Sequence, residues 1–459
     1  LDQPDDAAAM ARMRLTPGQF SNLKRHLYQQ LLTSLRLIFI NKEIDIELRE
    51  QIDFTRILYG KGHYLDALRT LERAKTKAVE HSQDLLHLEI LEFQKLIEAR
   101  HVTLSRQVDN KMDLLLNESA ARSYSVLNTS ELFNLNIQIH GRYIESGHSR
   151  NTEQAVKNEA YWKKIQTIRA DRETVASTFH QKINRFQSTM WYHYIQLHLD
   201  DALESALNAI NLFQLSRQMI VKDPDLYLRC LYYVNVFGYL TGREAEVKKP
   251  MLSLQAFLSA EKVQLNENSR RVGRIYQYLA TYNYYFLTGK AEAAYTLKQE
   301  IDSAHQKQEF TPNQQRWGLF LYKAGAACFL TQRYDETLDH LNDIINMRGG
   351  ILREDLLINT RLLHAICNYE LGHHSLVDYH LTSLGRLLKK SRETAEIHLA
   401  TVSALRKLIK TPPSERTPIY GQLYAELNQF RNSPFEAKAI TYLDIRVWLK
   451  IHLEIPVEA

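Results

Sequence analysis

A short corner motif recurs along this chain at a nearly fixed interval, and that repetition limits the fold more than any other feature. An apolar or aromatic helix end runs into a small or polar corner, and a new helix then opens with acidic residues. The copies read Leu58-Tyr59-Gly60-Lys61-Gly62-His63-Tyr64, Ile195-Gln196-Leu197-His198-Leu199-Asp200, Tyr239-Leu240-Thr241-Gly242-Arg243, Phe286-Leu287-Thr288-Gly289-Lys290, Phe329-Leu330-Thr331-Gln332-Arg333-Tyr334 and Tyr369-Glu370-Leu371-Gly372-His373. With Leu197, Gly242, Gly289, Gln332 and Gly372 as equivalent corners, the steps are 45, 47, 43 and 40 residues, a period near 44. Gly62 lies 135 residues, three such periods, before Leu197. A weaker corner at Ser146-Gly147-His148 falls where an intervening repeat is due. Self-similarity at a period of about 20 to 50 residues marks a stacked-repeat fold, because one helix pair cannot bury its apolar stripe alone.

Between the corners the pattern is helical. Thr16 is placed to cap a helix opening at Pro17, and Phe20, Leu23, Leu27, Leu31, Leu35 and Ile38 follow at helical spacing. Gly and Pro number only 16 and 10 in 459 residues, which leaves few tight turns. Clean alternation of apolar and polar residues hardly occurs, so strands are scarce. These features predict roughly twenty helices of about 14 to 28 residues in an all-α chain. Pro412, Pro413, Pro418 and Pro434 break the pattern near the end. The expected organisation is a flexible, acidic and Ala-rich segment over 1–15, a repeat array over 16–410, and capping helices over 411–459, near 417–431 and 434–452.

The corners and their flanks resemble the tetratricopeptide repeat. Gly62, Tyr64, Ala67, Leu71 and Ala74 follow that family's series of corner glycine, helix-B aromatic and interlocking small and bulky residues. Gly325, Tyr334, Thr337, Leu341 and Ile344 make a second copy, with Thr337 where Ala is usual, and Ala365, Gly372, Val377, Leu381 and Leu384 a third. Ala202, Ala206 and Ala209 supply the helix-B half of a fourth. The family repeat is about 34 residues, so each helix here carries one or more extra turns. Tyr282 stands where the family has a small residue, and the Gly242 copy lacks the helix-B aromatic. The resemblance implies a right-handed superhelix, an α-solenoid of about eight to ten antiparallel pairs, with a concave side lined by the first helix of each pair.

In such proteins partners lie on that inner face. Carrying the family's contact positions onto this sequence gives Asn184, Gln187, Trp191 and Tyr194, then Arg229, Tyr232 and Tyr239, then Tyr276, Asn283 and Phe286, then Tyr322 and Phe329, then Asn359 and Tyr369. Tyr, Trp and Asn suit recognition, offering large contact area, few rotamers and polar tips. The same tyrosines also serve as half-buried packing residues with their hydroxyls at the surface.

Chemistry-bearing motifs are absent. The sequence holds no Gly-rich phosphate loop and no His-Glu-x-x-His, and no cofactor, catalytic residue or metal ligand is expected. His373, His374 and His380, and the pair His193 and His198, miss the i, i+3 or i+4 metal spacing and read as solvated corners. Cys230, Cys328 and Cys367 lie far apart on apolar faces, which favours packing and a reducing, cytoplasmic setting. No apolar run spans a membrane. The 58 basic and 53 acidic residues are interspersed, with basic clusters only at Lys248-Lys249, at Arg270-Arg271 with Arg274, and at Lys389-Lys390 with Arg392. The expected function is a non-catalytic scaffold or adaptor holding a protein or peptide. The alternatives are a nucleic-acid-associated regulator using the basic clusters along one rim, and a structural subunit, itself able to self-associate.

Overall fold

A repeat of helix pairs needs two kinds of helix start, one after a loop and one at a tight corner, and the chain provides both. The structure, a computed structural model, describes residues 6–40, 42–101, 110–167, 178–260, 265–347, 353–391, 393–430, 433, 435, 436, 438, 439 and 444–455. Those residues contain α-helices, short 3-10 turns and no strand. They separate into two compact units, Leu1–Ser130 and Glu131–Ala459. The first holds α1 (Asp6–Met13), α2 (Pro17–Phe39), α3 (Ile44–Gly60), α4 (Tyr64–Glu80) and α5 (Asp84–Arg100), and α6 (Lys111–Ser146) begins in it. The second continues with α7 (Thr152–Thr167), α8 (Phe179–Ile195), α9 (Leu199–Leu215), α10 (Gln218–Lys222), α11 (Pro224–Leu240), α12 (Glu244–Ser259), α13 (Glu267–Leu287) and α14 (Ala291–Gln306). It ends with α15 (Gln314–Leu330), α16 (Tyr334–Ile345), α17 (Glu354–Glu370), α18 (His374–Lys390), α19 (Glu396–Leu408), α20 (Thr417–Gln429) and α21 (Ile445–His452). Helix α1 lies within the 1–15 segment, and α20 and α21 lie within 411–459, where residue 431 of the first expected capping helix and residues 434, 437 and 440–443 of the last are outside the described residues.

Four first helices of the pairs open on side-chain caps, whereas α3 and α17 have none. Thr178, Asp223, Asn266 and Asn313 accept from the backbone N–H three residues on and so start α8, α11, α13 and α15. Thr16 does the same for α2, in a capping box with Gln19 and with Pro17 in the first turn, as its sequence predicts. The second helices have no side-chain cap, because the corner supplies their start. Gly62, Leu197, Gly242, Gly289, Gln332 and Gly372 all take positive φ, from 59° to 82°. At each, the corner N–H and the following N–H donate back to the last turn, as when Gly242 donates to the Tyr239 carbonyl at 3.2 Å and Arg243 to Gly238 at 2.9 Å. This paired closure satisfies orphan carbonyls and reverses the chain in one step. Thr241, Thr288 and Thr331, the residues before three corners, bond their own helix four residues back at 2.8, 2.8 and 3.0 Å. Gly147, the weak corner, is left-handed too, at φ 65°.

Pairing then follows from small residues at the crossings. Ala67, Ala74, Ala202, Ala206, Ala209 and Ala365 are all buried, with Leu71, Leu341, Val377 and Leu381 fully so. Each pair α3/α4, α8/α9, α11/α12, α15/α16 and α17/α18 packs on itself, and neighbours join through α9 with α11, α11 and α12 with α13, and α16 with α17. The core is accordingly a succession of clusters and not one centre. At Gly238 one helix comes against the backbone of the next, and an added Cβ would meet the Glu246 carbonyl carbon at 2.8 Å. Among the described residues no helix is long and apolar enough to cross a membrane.

Two substitutions separate the corner from the crossing. Gly242 has open space around its Cα but a φ of 72°, and exposed Gln332 holds φ 59° without glycine's freedom. Gly242→Ala should lower stability by ~1 kcal/mol, while Gln332→Gly raises it by up to ~1 kcal/mol, read as opposite shifts in Tm. Gly238→Ala, which must push two helix backbones apart, should cost about 1–3 kcal/mol and lower Tm further than Gly242→Ala does.

Candidate functional site

The corner fixes which residues of the first helix face inward. The position three before it is aromatic in every copy: Tyr59, Tyr194, Tyr239, Phe286, Phe329 and Tyr369. In the second unit two of these, Tyr194 and Tyr239, join Tyr232 and Val236 from α11, Asn283 from α13, and Leu319, Tyr322 and Lys323 from α15 around a cavity of ≈130 Å³. Tyr232, Val236 and Tyr239 share one face of α11 because they lie four and seven residues apart. Arg353 and Lys438 close the remaining side.

A thread of hydrogen bonds runs from this cavity into the stack. Lys323 Nζ donates to Asn283 Oδ1 at 2.8 Å, Asn283 Nδ2 donates to Asn235 Oδ1 at 2.8 Å, and Asn235 Nδ2 donates to the Val247 carbonyl at 2.9 Å. Three successive pairs are thereby tied by one polar relay whose buried amides all have partners, which makes the register specific. Lys323 Nζ also lies over the Tyr239 and Phe286 rings, at 5.6 and 5.2 Å from their centroids. Burial, with the Arg353 guanidinium nearby, pulls the Lys323 ammonium down to about 7. The other two cations are matched by acids. Arg353 reaches Asp355 at 3.0 Å, and Lys438 reaches Glu393 at 2.9 Å and Asp355 at 3.7 Å. Lys323 makes no ion pair among the described residues.

The same acids bring the two ends of the second unit together. His148, just past α6, accepts from Lys438 at Nδ1 across 2.9 Å, and its ring meets Tyr194 edge-on at 4.6 Å. A Cβ at Gly147 would displace the Glu393 Oε1 that sits beside it, and the corner's φ of 65° itself favours glycine. Glu436 accepts the Glu396 and Ile397 N–H groups at 2.9 and 3.0 Å, placing a carboxylate at the positive end of α19. Burial works to raise the Glu393 carboxyl, but His148 and Lys438 outweigh it and hold it at about 2. Burial, then Lys438, pulls both His148 and His398 down to about 4. Burial, then His380, does the same to His364.

Of the inner-face residues read from the sequence, Tyr194, Tyr232, Tyr239, Asn283 and Tyr322 line the cavity. Tyr276 stands behind it, stacked on Tyr232 at 4.6 Å and accepting from Arg316. Phe286 carries Lys323 on its face, and Arg229 is exposed on α11. The others are engaged in packing. Gln187 accepts from Asn136 at 2.9 Å, Asn184 and Asn359 donate to carbonyls of their own helices, and Trp191 packs on His140 and Tyr143. Phe329 is buried against Tyr334, and Tyr369 hydrogen-bonds Tyr420 across 2.7 Å. The three cations were not read from the sequence. Lys323 has a local signal, a lone charge in the apolar run Leu319–Leu330, whereas Arg353 and Lys438 reach the cavity only through the tertiary fold. In the basic clusters Arg271 pairs with Glu267 and Arg274 with Glu309, and Arg392 lies outside the described residues.

Compared with known proteins, the chain matches no family model, and no curated protein matches it significantly.

The buried histidines set a pH dependence. Each is held below its ordinary value of 6.5, so as pH falls from 6.5 towards 4 the unfolded chain gains protons that the folded chain refuses. The histidines' contribution should therefore be full above pH 7 and decline across that window, with Glu393 adding its own loss only between 4.5 and 2. Thermal melts at pH 7.5, 6.0 and 4.5 should show a falling Tm, with a shallower slope in His148→Gln, whose amide can still accept from Lys438.

Proposed function

We propose that this chain is a non-catalytic binding scaffold that takes an acidic group of a protein or peptide partner into the tyrosine-walled cavity at Lys323. The observation that carries the reading is Lys323 itself, an amine facing a cavity, held by one neutral amide and matched by no carboxylate. A cavity of ≈130 Å³ suits one side chain or a terminal carboxylate; one of about 150 Å³ takes a benzene ring. Aromatic walls and a nearly dry amine make an ion pair there worth more than at the surface. The stacked pairs are read as a tetratricopeptide-like array, each unit winding right-handed, with the recurring left-handed corners and buried small residues in support. The free, buried Cys230, Cys328 and Cys367 accord with a reducing, cytoplasmic setting.

Random peptides displayed on phage and selected on the wild-type protein test this. Selection should enrich Asp, Glu or a free carboxyl terminus, and Lys323→Gln should weaken the best peptide at least tenfold, ~1.4 kcal/mol, without lowering Tm. Affinity should also fall as pH rises through 7, where Lys323 loses its charge. Enrichment of peptides without acids, or equal affinity for Lys323→Gln, refutes the reading.

A further inference from the structure

The corner that reverses each pair also gathers three side chains at one spot. They belong to the residue whose carbonyl closes the turn, the residue after the corner, and the third residue of the next helix. At the α15–α16 corner, Cys328 Sγ lies 4.0 Å from Glu336 Oε2, and Arg333 Nε 4.0 Å from Glu336 Oε1. At the α17–α18 corner, His373 Nδ1 lies 3.3 Å from Asn368 Oδ1. The convergence is thus a property of the turn, independent of what occupies it.

At the α8–α9 corner the three residues are His193, His198 and Asp201. His193 Nδ1 stands 3.6 Å from Asp201 Oδ2 and His198 Nδ1 3.9 Å, and a donor atom of each lies within 4.8 Å of the others. We propose that this corner is a binding site for a zinc-class divalent cation, with His193, His198 and Asp201 as ligands and water in the fourth position. Two imidazoles and one carboxylate form a donor set common in such sites. A tetrahedral ion with ligands at about 2.0–2.1 Å needs donors ~3.3 Å apart, so each imidazole must close on Asp201 by a few tenths of an ångström, and the two imidazoles on each other by up to ~1.5 Å. His198 and Asp201, at 58% and 56% side-chain exposure, are free to make that adjustment. His193 is the anchored ligand, and its buried Nδ1 makes no hydrogen bond, so ligation breaks nothing. No other corner of the series carries three such groups. The corresponding sets are Leu58, His63 and Asp66; Gly238, Arg243 and Glu246; Tyr285, Lys290 and Ala293; Cys328, Arg333 and Glu336; and Asn368, His373 and Leu376. In three of them a Lys or Arg sits where His198 does and repels a cation. His198 and Asp201 are solvated, as the sequence suggests, but the helical spacing rule for metal ligands does not apply across a left-handed turn, which brings together residues five and eight apart.

Tag-free full-length protein titrated with Co²⁺, followed by visible absorption, and with Zn²⁺, followed by calorimetry, decides the matter. One equivalent should bind with the visible bands of tetrahedral Co²⁺. His198→Ala and Asp201→Asn should each weaken Zn²⁺ binding at least tenfold, while His373→Ala, at a corner with two non-ligand partners, changes nothing. Circular dichroism at 222 nm checks that each variant keeps its helix content, which exposed replacements at His198 and Asp201 should preserve. Absence of binding overturns the assignment, as does an affinity that His198→Ala and Asp201→Asn leave unchanged.

Discussion

The left-handed residue at the end of each first helix is the constraint on which this structure rests. A helix ends with unsatisfied carbonyls, and one residue at positive φ lets two N–H groups turn back onto them while the chain reverses direction. Because the bonds are backbone to backbone, the corner has the same geometry whether Gly242, Leu197 or Gln332 occupies it. Everything placed relative to the corner is then repeated: the inward aromatic three residues before it, the uncapped second helix after it, and the three-residue cluster around it.

Repetition of geometry leaves room for variation in chemistry. The inner position is Tyr in four copies and Phe in two, yet Tyr194 and Tyr239 border a cavity, whereas Phe329 and Tyr369 are sealed into the core of the last helices. The difference comes from what packs opposite. Around α20 and α21, Tyr420 and Trp448 fill the space, with the Trp448 Nε1–H donating to Glu370 at 2.6 Å. Around α11 and α15, the facing groups are charged side chains that cannot be packed dry, and a polar void remains.

The charged cluster formed by His148, Asp355, Glu393 and Lys438 deserves comparison with the relay of Asn235, Asn283 and Lys323. Both are buried and polar, but the relay joins consecutive pairs, while the cluster joins residues 290 apart in sequence. Burial costs each charge its hydration, and only mutual pairing offsets that loss, so the ends of the second unit meet in one arrangement. Lys323 lies beyond the reach of those acids, and it alone of the cavity's cations is left to a neutral partner.

Much of the fold was legible in the residues. Local rules govern helix starts, corners and small crossing residues, so Thr16, Gly62, Leu197, Gly242, Gln332 and Gly372 announced the elements, and the period announced their stacking. The site was legible only in part. Tyr232, Tyr239, Asn283 and Tyr322 came from the contact positions that the tetratricopeptide resemblance implies, but those positions do not tell a wall of a cavity from packing, and Gln187, Asn359 and Phe329 share them. Arg353 and Lys438, and the meeting of His193 with Asp201 across the turn, were decided by tertiary structure. Periodicity records the direction a side chain takes from its own helix; which distant group it meets depends on how successive pairs rotate and close, and no local pattern of residues encodes that.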